Sequence, residues 1–154
     1  MPDIFKIHYN LQRIISEGGA EGIGRIVLYG SEIQDKIVSL QKEQLLSGKD
    51  STGEDIAPSY RSVAYADFKQ GMNSRPEYRT PDLKLTGAFY SGIYFNTDLM
   101  NPTSSDPKTP SLEEKYGNSG KNPVLGLNNE SLKDLHPVFN EKFGNEFLAQ
   151  LKEE

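Results

Sequence analysis

Leu132, Leu135, Phe139, Phe143, Phe147 and Leu151 recur at intervals of three and four residues near the C-terminus. An α-helix turns once in about 3.6 residues, so this spacing gathers large apolar side chains into one stripe and predicts a helix over about 129–152. Such a stripe is stable only against a second apolar surface, which the rest of the chain must supply. Asn128 or Asn129 stands where it can cap the helix. Pro137 would cost about 3 kcal/mol deep inside it, which predicts a kink or a fresh start there.

The N-terminal half offers that surface. Ile4, Ile7, Leu11, Ile14 and Ile15 repeat with the same period and predict a helix from Asp3 to Ser16. Glycines at 18, 19, 22 and 24 then read as a turn or joint, which sets residues 1–20 apart as a helical extension of one domain over 21–154. A long helix is expected from Arg25, or from Ser31, to Leu46. Its stripe is Ile26, Ile33, Ile37, Leu40 and Leu45, with Gln, Lys and Glu opposite, and Gly48 sits just past its end. Residues 48–59 read as loop. Residues 59–70 read as a short helix with Val63, Tyr65, Ala66 and Phe68 turned inward, and 71–81 as a polar connection.

Leu83 to Thr97 is the most apolar segment. Read as a strand, it turns Phe89, Ile93 and Phe95 to one side and Tyr90 and Tyr94 to the other, so neither face is polar. A small domain has trouble covering both faces, and a neighbouring subunit is the expected second cover. Asn96 to Ser111, with Pro102, Pro107 and Pro110, reads as a loop longer than the roughly 12–15 residues usual in compact domains, one that is disordered or ordered by a partner. Leu112 to Tyr116 reads as a helical turn, and Pro123 to Leu127 as a short apolar piece.

Composition narrows the chemistry. A chain of 154 residues suits one domain, and 35% hydrophobic content with seven Phe and eight Tyr is too apolar for general disorder. The absence of Cys removes disulfides, thiolate metal sites and thiol nucleophiles. His8 and His136 are too few for a multi-histidine metal site and read as surface or half-buried helix residues. The net charge of −5 argues against simple electrostatic binding of nucleic acid. No apolar run reaches the roughly 20 residues of a membrane span, and Met1-Pro2-Asp3-Ile4-Phe5 lacks a signal peptide's basic and apolar regions, so synthesis and retention in a cytoplasm-like compartment is expected. Gly48-Lys49 is not a phosphate loop, because Glu43 and Asp50 stand where the motif needs Gly and Ser/Thr. Asp50 and Asp55 lack the ligand pattern of a calcium loop and read as a plain turn. No catalytic, metal or cofactor residues are expected.

Three segments in order carry a resemblance. They are Gln44-Leu45-Leu46-Ser47-Gly48-Lys49-Asp50-Ser51-Thr52-Gly53-Glu54-Asp55-Ile56, then Leu83-Lys84-Leu85-Thr86-Gly87-Ala88-Phe89-Tyr90-Ser91-Gly92-Ile93, then Asn122-Pro123-Val124-Leu125-Gly126-Leu127-Asn128-Asn129-Glu130-Ser131-Leu132. Together they resemble the tail-completion and virion-morphogenesis (head–tail connector, neck) proteins of tailed bacteriophages over about residues 30–152. In those proteins a long helix ends in a G-x-D-x-x-G turn, an L-x-x-T-G-x-L/F segment leads into the sheet, and a P-F-L-G-L piece precedes the last helix. The chain departs from the pattern at Ile56, where a Trp is usual nearby, and at Val124, where Phe is usual.

The resemblance implies an α+β fold, with a curved antiparallel sheet flanked by the long N-terminal-half helix and the C-terminal helix. It also implies a non-enzymatic structural subunit, made in the host bacterial cytoplasm and resident in the virion. Such subunits form homomeric rings beside portal or connector and tail proteins, around genomic DNA that passes without specific binding. No cofactor and no membrane is implied. The expected subunit interface is Phe89, Tyr90, Tyr94, Phe95, Leu99 and Met100, with 96–111 as an arm ordered on docking. The rival expectations are an assembly chaperone or small interaction module that is absent from the mature particle, and a hydrolase with paired carboxylates.

Overall fold

The computed structural model describes residues 4–72, 79–117 and 121–153. Asp3, expected to open the first helix, and residues 73–78 of the expected polar connection lie outside the described residues. The last helix, α7 (Asn129–Lys152), is where the apolar period places it. Asn128 is its cap, accepting the Ser131 amide at 2.9 Å. The helix continues through Pro137 with no fresh start. Packing of α7 against α1 (Ile4–Ser16), α2 (Gly19–Leu28) and α3 (Ser31–Leu46) offsets the local cost of the proline. Its stripe faces a core of Ile14, Ile23, Val27, Ile33, Ile37 and Leu40, except that Leu132 at the first turn is exposed.

The first helix belongs to this core, since Ile14 is buried in it. It also closes the end of α7. The Asn10 amide donates to the carbonyls of Leu151 and Glu153, both at 3.0 Å, and Arg13 pairs with the Glu153 carboxylate at 2.6 Å. The last carbonyls of a helix have no partner within it and carry partial negative charge, so an amide and a guanidinium suit that end. The glycine-rich stretch turns the chain only at its start, where Gly18 has φ 106°. It starts α2 after Gly18, so a boundary at residue 20 falls inside a helix. The chain turns again at Gly30 and α3 starts at Ser31, which leaves Ile26 off the α3 stripe and half exposed.

Helix α3 links two cores. Ile33, Ile37 and Leu40 face the first, while Leu45 enters a second with Ile56, Phe89, Tyr90, Ile93, Val124 and Leu125. The helix stops as its sequence predicts. Gly48 has φ 73°, its amide reaches the Leu45 carbonyl at 2.9 Å, and the Lys49 amide reaches Gln44 at 3.1 Å. This is the glycine-terminated double bond that satisfies a helix end. A side chain at Gly48 would also press on Thr80, whose Cγ2 lies 2.6 Å from where a Cβ would stand.

The fold is α+β, and the antiparallel sheet is a two-stranded ribbon of β1 (Ile93–Asn96) and β2 (Asn101–Ser104) resting on α3. Residues 83–97 do not form one strand with two apolar faces. Ala88–Ser91 is a single helical turn, α5, and the strand begins only after Gly92. Successive residues on a helical turn point only about 100° apart, so Phe89 and Tyr90 reach the same core. In β1, Ile93 and Phe95 point inward and Tyr94 outward, the ordinary alternation. Gly92 permits this corner, because a Cβ there would lie 2.8 Å from the Ser104 hydroxyl.

The expected loop at 96–111 is likewise structured by the chain itself. It contains β2, paired from Ile93↔Ser104 to Asn96↔Asn101, and the start of α6 (Thr109–Tyr116). Helix α4 (Val63–Met72) buries Ala66 and Lys69, while Val63, Tyr65 and Phe68, expected inward, are exposed. Among the described residues no helix is long and apolar enough to cross a membrane.

Candidate functional site

The three segments of the resemblance fold against one another. The turn after α3 is organised by Asp50, whose Oδ1 accepts the Thr52 amide at 2.8 Å, the Thr52 hydroxyl at 2.7 Å and the Glu54 amide at 3.1 Å. That carboxylate is occupied by its own turn, and Asp55 pairs with Lys49 at 2.6 Å, so the two acids act as a turn and a surface ion pair. The Ser51 amide then donates to the Pro123 carbonyl at 3.0 Å and joins the first segment to the third.

Residues 123–128 are largely buried yet belong to no helix or strand, so their polar backbone needs side-chain partners. Glu113 on α6 accepts the Val124 and Leu125 amides, each at 2.9 Å. Gln41 accepts the Gly126 amide at 2.7 Å. Gln44 accepts the Asn128 amide at 2.9 Å and donates to the carbonyls of Gly126 at 2.9 Å and Asp50 at 3.1 Å. Gln41 and Gln44 thus lie on the buried face of α3, not opposite its stripe as composition suggested. They fall at positions 41 and 44 between Leu40 and Leu45, so the helical period itself carried that signal.

The expected interface residues divide into two groups. Phe89, Tyr90 and Phe95 are at most 8% exposed and enclosed by the chain's own cores, and Tyr90 donates to the Asp82 carbonyl at 2.5 Å. Their expected cover from a neighbouring subunit is therefore corrected: the chain covers them. Tyr94, Leu99 and Met100 are exposed, at 45%, 68% and 39%. Leu99 and Met100 form the tip of the β1–β2 hairpin. The Asn96 side chain ties that tip by accepting the amides of Asp98 and Leu99, both at 2.9 Å, and Met100 takes the left-handed φ of 49°. The tip is a defined turn that holds two apolar side chains in solvent.

A groove that sequence reasoning missed runs between α4, α6 and the 83–87 segment. Its floor is Leu83, Phe89 and Leu112, and Tyr60, Tyr65 and Tyr116 form its walls. This hollow, of about 200 Å³, continues past the same tyrosines into another of about 550 Å³ bordered by Pro58, Arg61 and Lys115. The rings of Tyr60 and Tyr65 meet edge to face at 5.0 Å. At the base, the Lys69 ammonium meets the Asp82 carboxylate at 2.7 Å with both side chains almost fully buried, and it also donates to the Lys84 carbonyl. The groove was not legible because its residues come from three separated stretches of chain, 58–69, 83–89 and 106–116.

His8 and His136 are both exposed on helix surfaces. Among the described residues no three His, Asp or Glu side chains gather as metal ligands would. Comparison of the chain with protein-family models, curated proteins and solved structures finds no match.

Proposed function

We propose that the chain is a non-enzymatic structural subunit of a tailed-bacteriophage particle. It forms a homomeric ring at the head–tail or tail-completion junction, between portal or connector and tail proteins and around the DNA channel. The observation that carries this reading is the hairpin tip: a tied turn that holds Leu99 and Met100 in solvent, with Tyr94 of the same hairpin also exposed. Exposed apolar side chains on a defined projection suit insertion into a neighbouring copy. Two further features support it. The segments that resemble connector proteins meet in one core, with Leu45 and Ile56 from the first, Phe89, Tyr90 and Ile93 from the second, and Val124 and Leu125 from the third. The net charge of −5 suits a lumen that does not grip phosphate.

The interface this reading requires is Tyr94, Leu99 and Met100, without Phe89, Tyr90 and Phe95. Mass spectrometry of purified particles should find the chain at a fixed copy number, and electron microscopy should show it as a ring at the junction. The double variant Leu99→Asp, Met100→Asp should fold as the parent does and fail to enter particles. Normal incorporation of that variant would overturn the interface. Absence of the parent chain from particles would overturn the ring and favour an assembly chaperone.

A further inference from the structure

The groove beside α4 has a charge pattern unlike the rest of the chain. Apart from the Lys69–Asp82 pair, the described residues give its two hollows the cations Arg61, Lys84, Lys108 and Lys115, and one carboxylate, Asp106. That carboxylate is engaged in its own turn, accepting the Lys108 amide at 2.7 Å. None of the four cations forms an ion pair among the described residues. Two of them lie over aromatic rings: Lys84 is 5.6 Å from the centre of Tyr90, and Lys115 is 4.9 Å from Tyr116. In a chain of net charge −5, this local excess of positive charge frames an apolar floor and tyrosine walls.

We infer that this groove binds a short extended segment of a partner protein in which acidic and apolar side chains alternate. An extended segment sends successive side chains to opposite sides, so its apolar residues meet Leu83, Phe89 and Leu112 while its carboxylates meet the cationic rim. The cations come from the loop before α4 (Arg61), the 83–87 segment (Lys84) and the two ends of α6 (Lys108 and Lys115), as a distributed set of carboxylates requires. A peptide suits the groove better than a nucleic-acid strand, because the floor of Leu83, Phe89 and Leu112 takes apolar side chains. The inference does not depend on the ring reading, since Tyr94, Leu99 and Met100 do not line the groove.

The test is fluorescence anisotropy on the full chain with three labelled probes: a short peptide alternating aspartate with leucine or phenylalanine, the same peptide with lysine in place of aspartate, and an oligothymidylate. The acidic peptide should bind, and its affinity should fall with added salt. Lys108→Glu with Lys115→Glu should weaken it by about tenfold or more, as reversal of rim charges does at complementary interfaces. Both residues are exposed, so far-ultraviolet circular dichroism and the urea midpoint should stay at parental values. If that pair fails to fold, Arg61→Glu, at another exposed position, gives the same reading. Equal binding of the lysine peptide, tighter binding of oligothymidylate, no binding of the acidic peptide, or no loss in the variants would each overturn the proposal.

Discussion

Replacing Asp82 by Asn should be among the most damaging conservative changes in this chain. The Lys69 and Asp82 side chains are 1% and 0% exposed and meet at 2.7 Å. Asn keeps the shape of Asp82 and can still accept the Lys84 amide, now bonded at 3.0 Å, but it removes the carboxylate charge. Lys69 would then hold a buried ammonium that faces an uncharged amide and the Lys84 carbonyl. Breaking one side of a buried pair costs about 3–5 kcal/mol, because the remaining charge is left in a medium that solvates it poorly. A domain of this kind is held by about 5–15 kcal/mol in total, so about a fifth of the stability or more is at stake. With a urea dependence of about 2 kcal/mol per molar, the midpoint should fall by roughly 2 M. Removing both charges with Lys69→Met, Asp82→Asn should recover at least half of the loss. That double variant still forfeits the bond to the Lys84 carbonyl, about 1 kcal/mol. A midpoint shift below about 0.5 M for Asp82→Asn, or a double variant no more stable than the single one, would refute the reasoning that the pair is dry and mutually dependent.

Two further outcomes follow from the same kind of accounting. Gln44→Leu should destabilise by about 3 kcal/mol or more in urea unfolding, because it strands the buried Asn128 amide and the Gly126 carbonyl together; a loss under about 1 kcal/mol would mean that water or rearrangement replaces those bonds. The hydrogen bond to Glu32 holds the Lys142 ammonium above the ordinary lysine pKa, burial opposes it, and the charges of Glu32 and Glu141 reinforce it. A cation whose folded pKa is raised contributes its full stabilisation below the unfolded pKa and loses it as pH rises through the folded value. The difference in melting temperature between the parent and Glu32→Gln should therefore be constant near neutrality and narrow above about pH 10; a gap that widens there would contradict the assignment.

What could be read from the chain alone was mostly local. The stripe from Leu135 to Leu151 defined α7, Asn128 its start and Gly48 the end of α3, because a helical period, a cap and a left-handed glycine act within a few residues. The same local rules misled where tertiary contacts competed with them. The glycines at 18–24 lie mostly within α2, which buries Ile23 and Val27 on the first core. Phe89 and Tyr90 read as opposite faces of a strand, yet one helical turn before Gly92 brings both to the same core. The segment 96–111 read as a loop because strand β2 exists only through its pairing with β1.

The sequence by itself determined α1, α3 and α7, the glycine end of α3 and the polar turn at Asp50, since each depends on neighbours a few residues away. Only the tertiary structure decided that Gln41 and Gln44 serve a segment more than eighty residues distant, that Phe95 is core while Leu99 is surface, and that three separate stretches make a cationic groove. A period records the direction in which a side chain points. What it meets there, whether another side chain, an unsatisfied amide or water, depends on how distant parts of the chain come together.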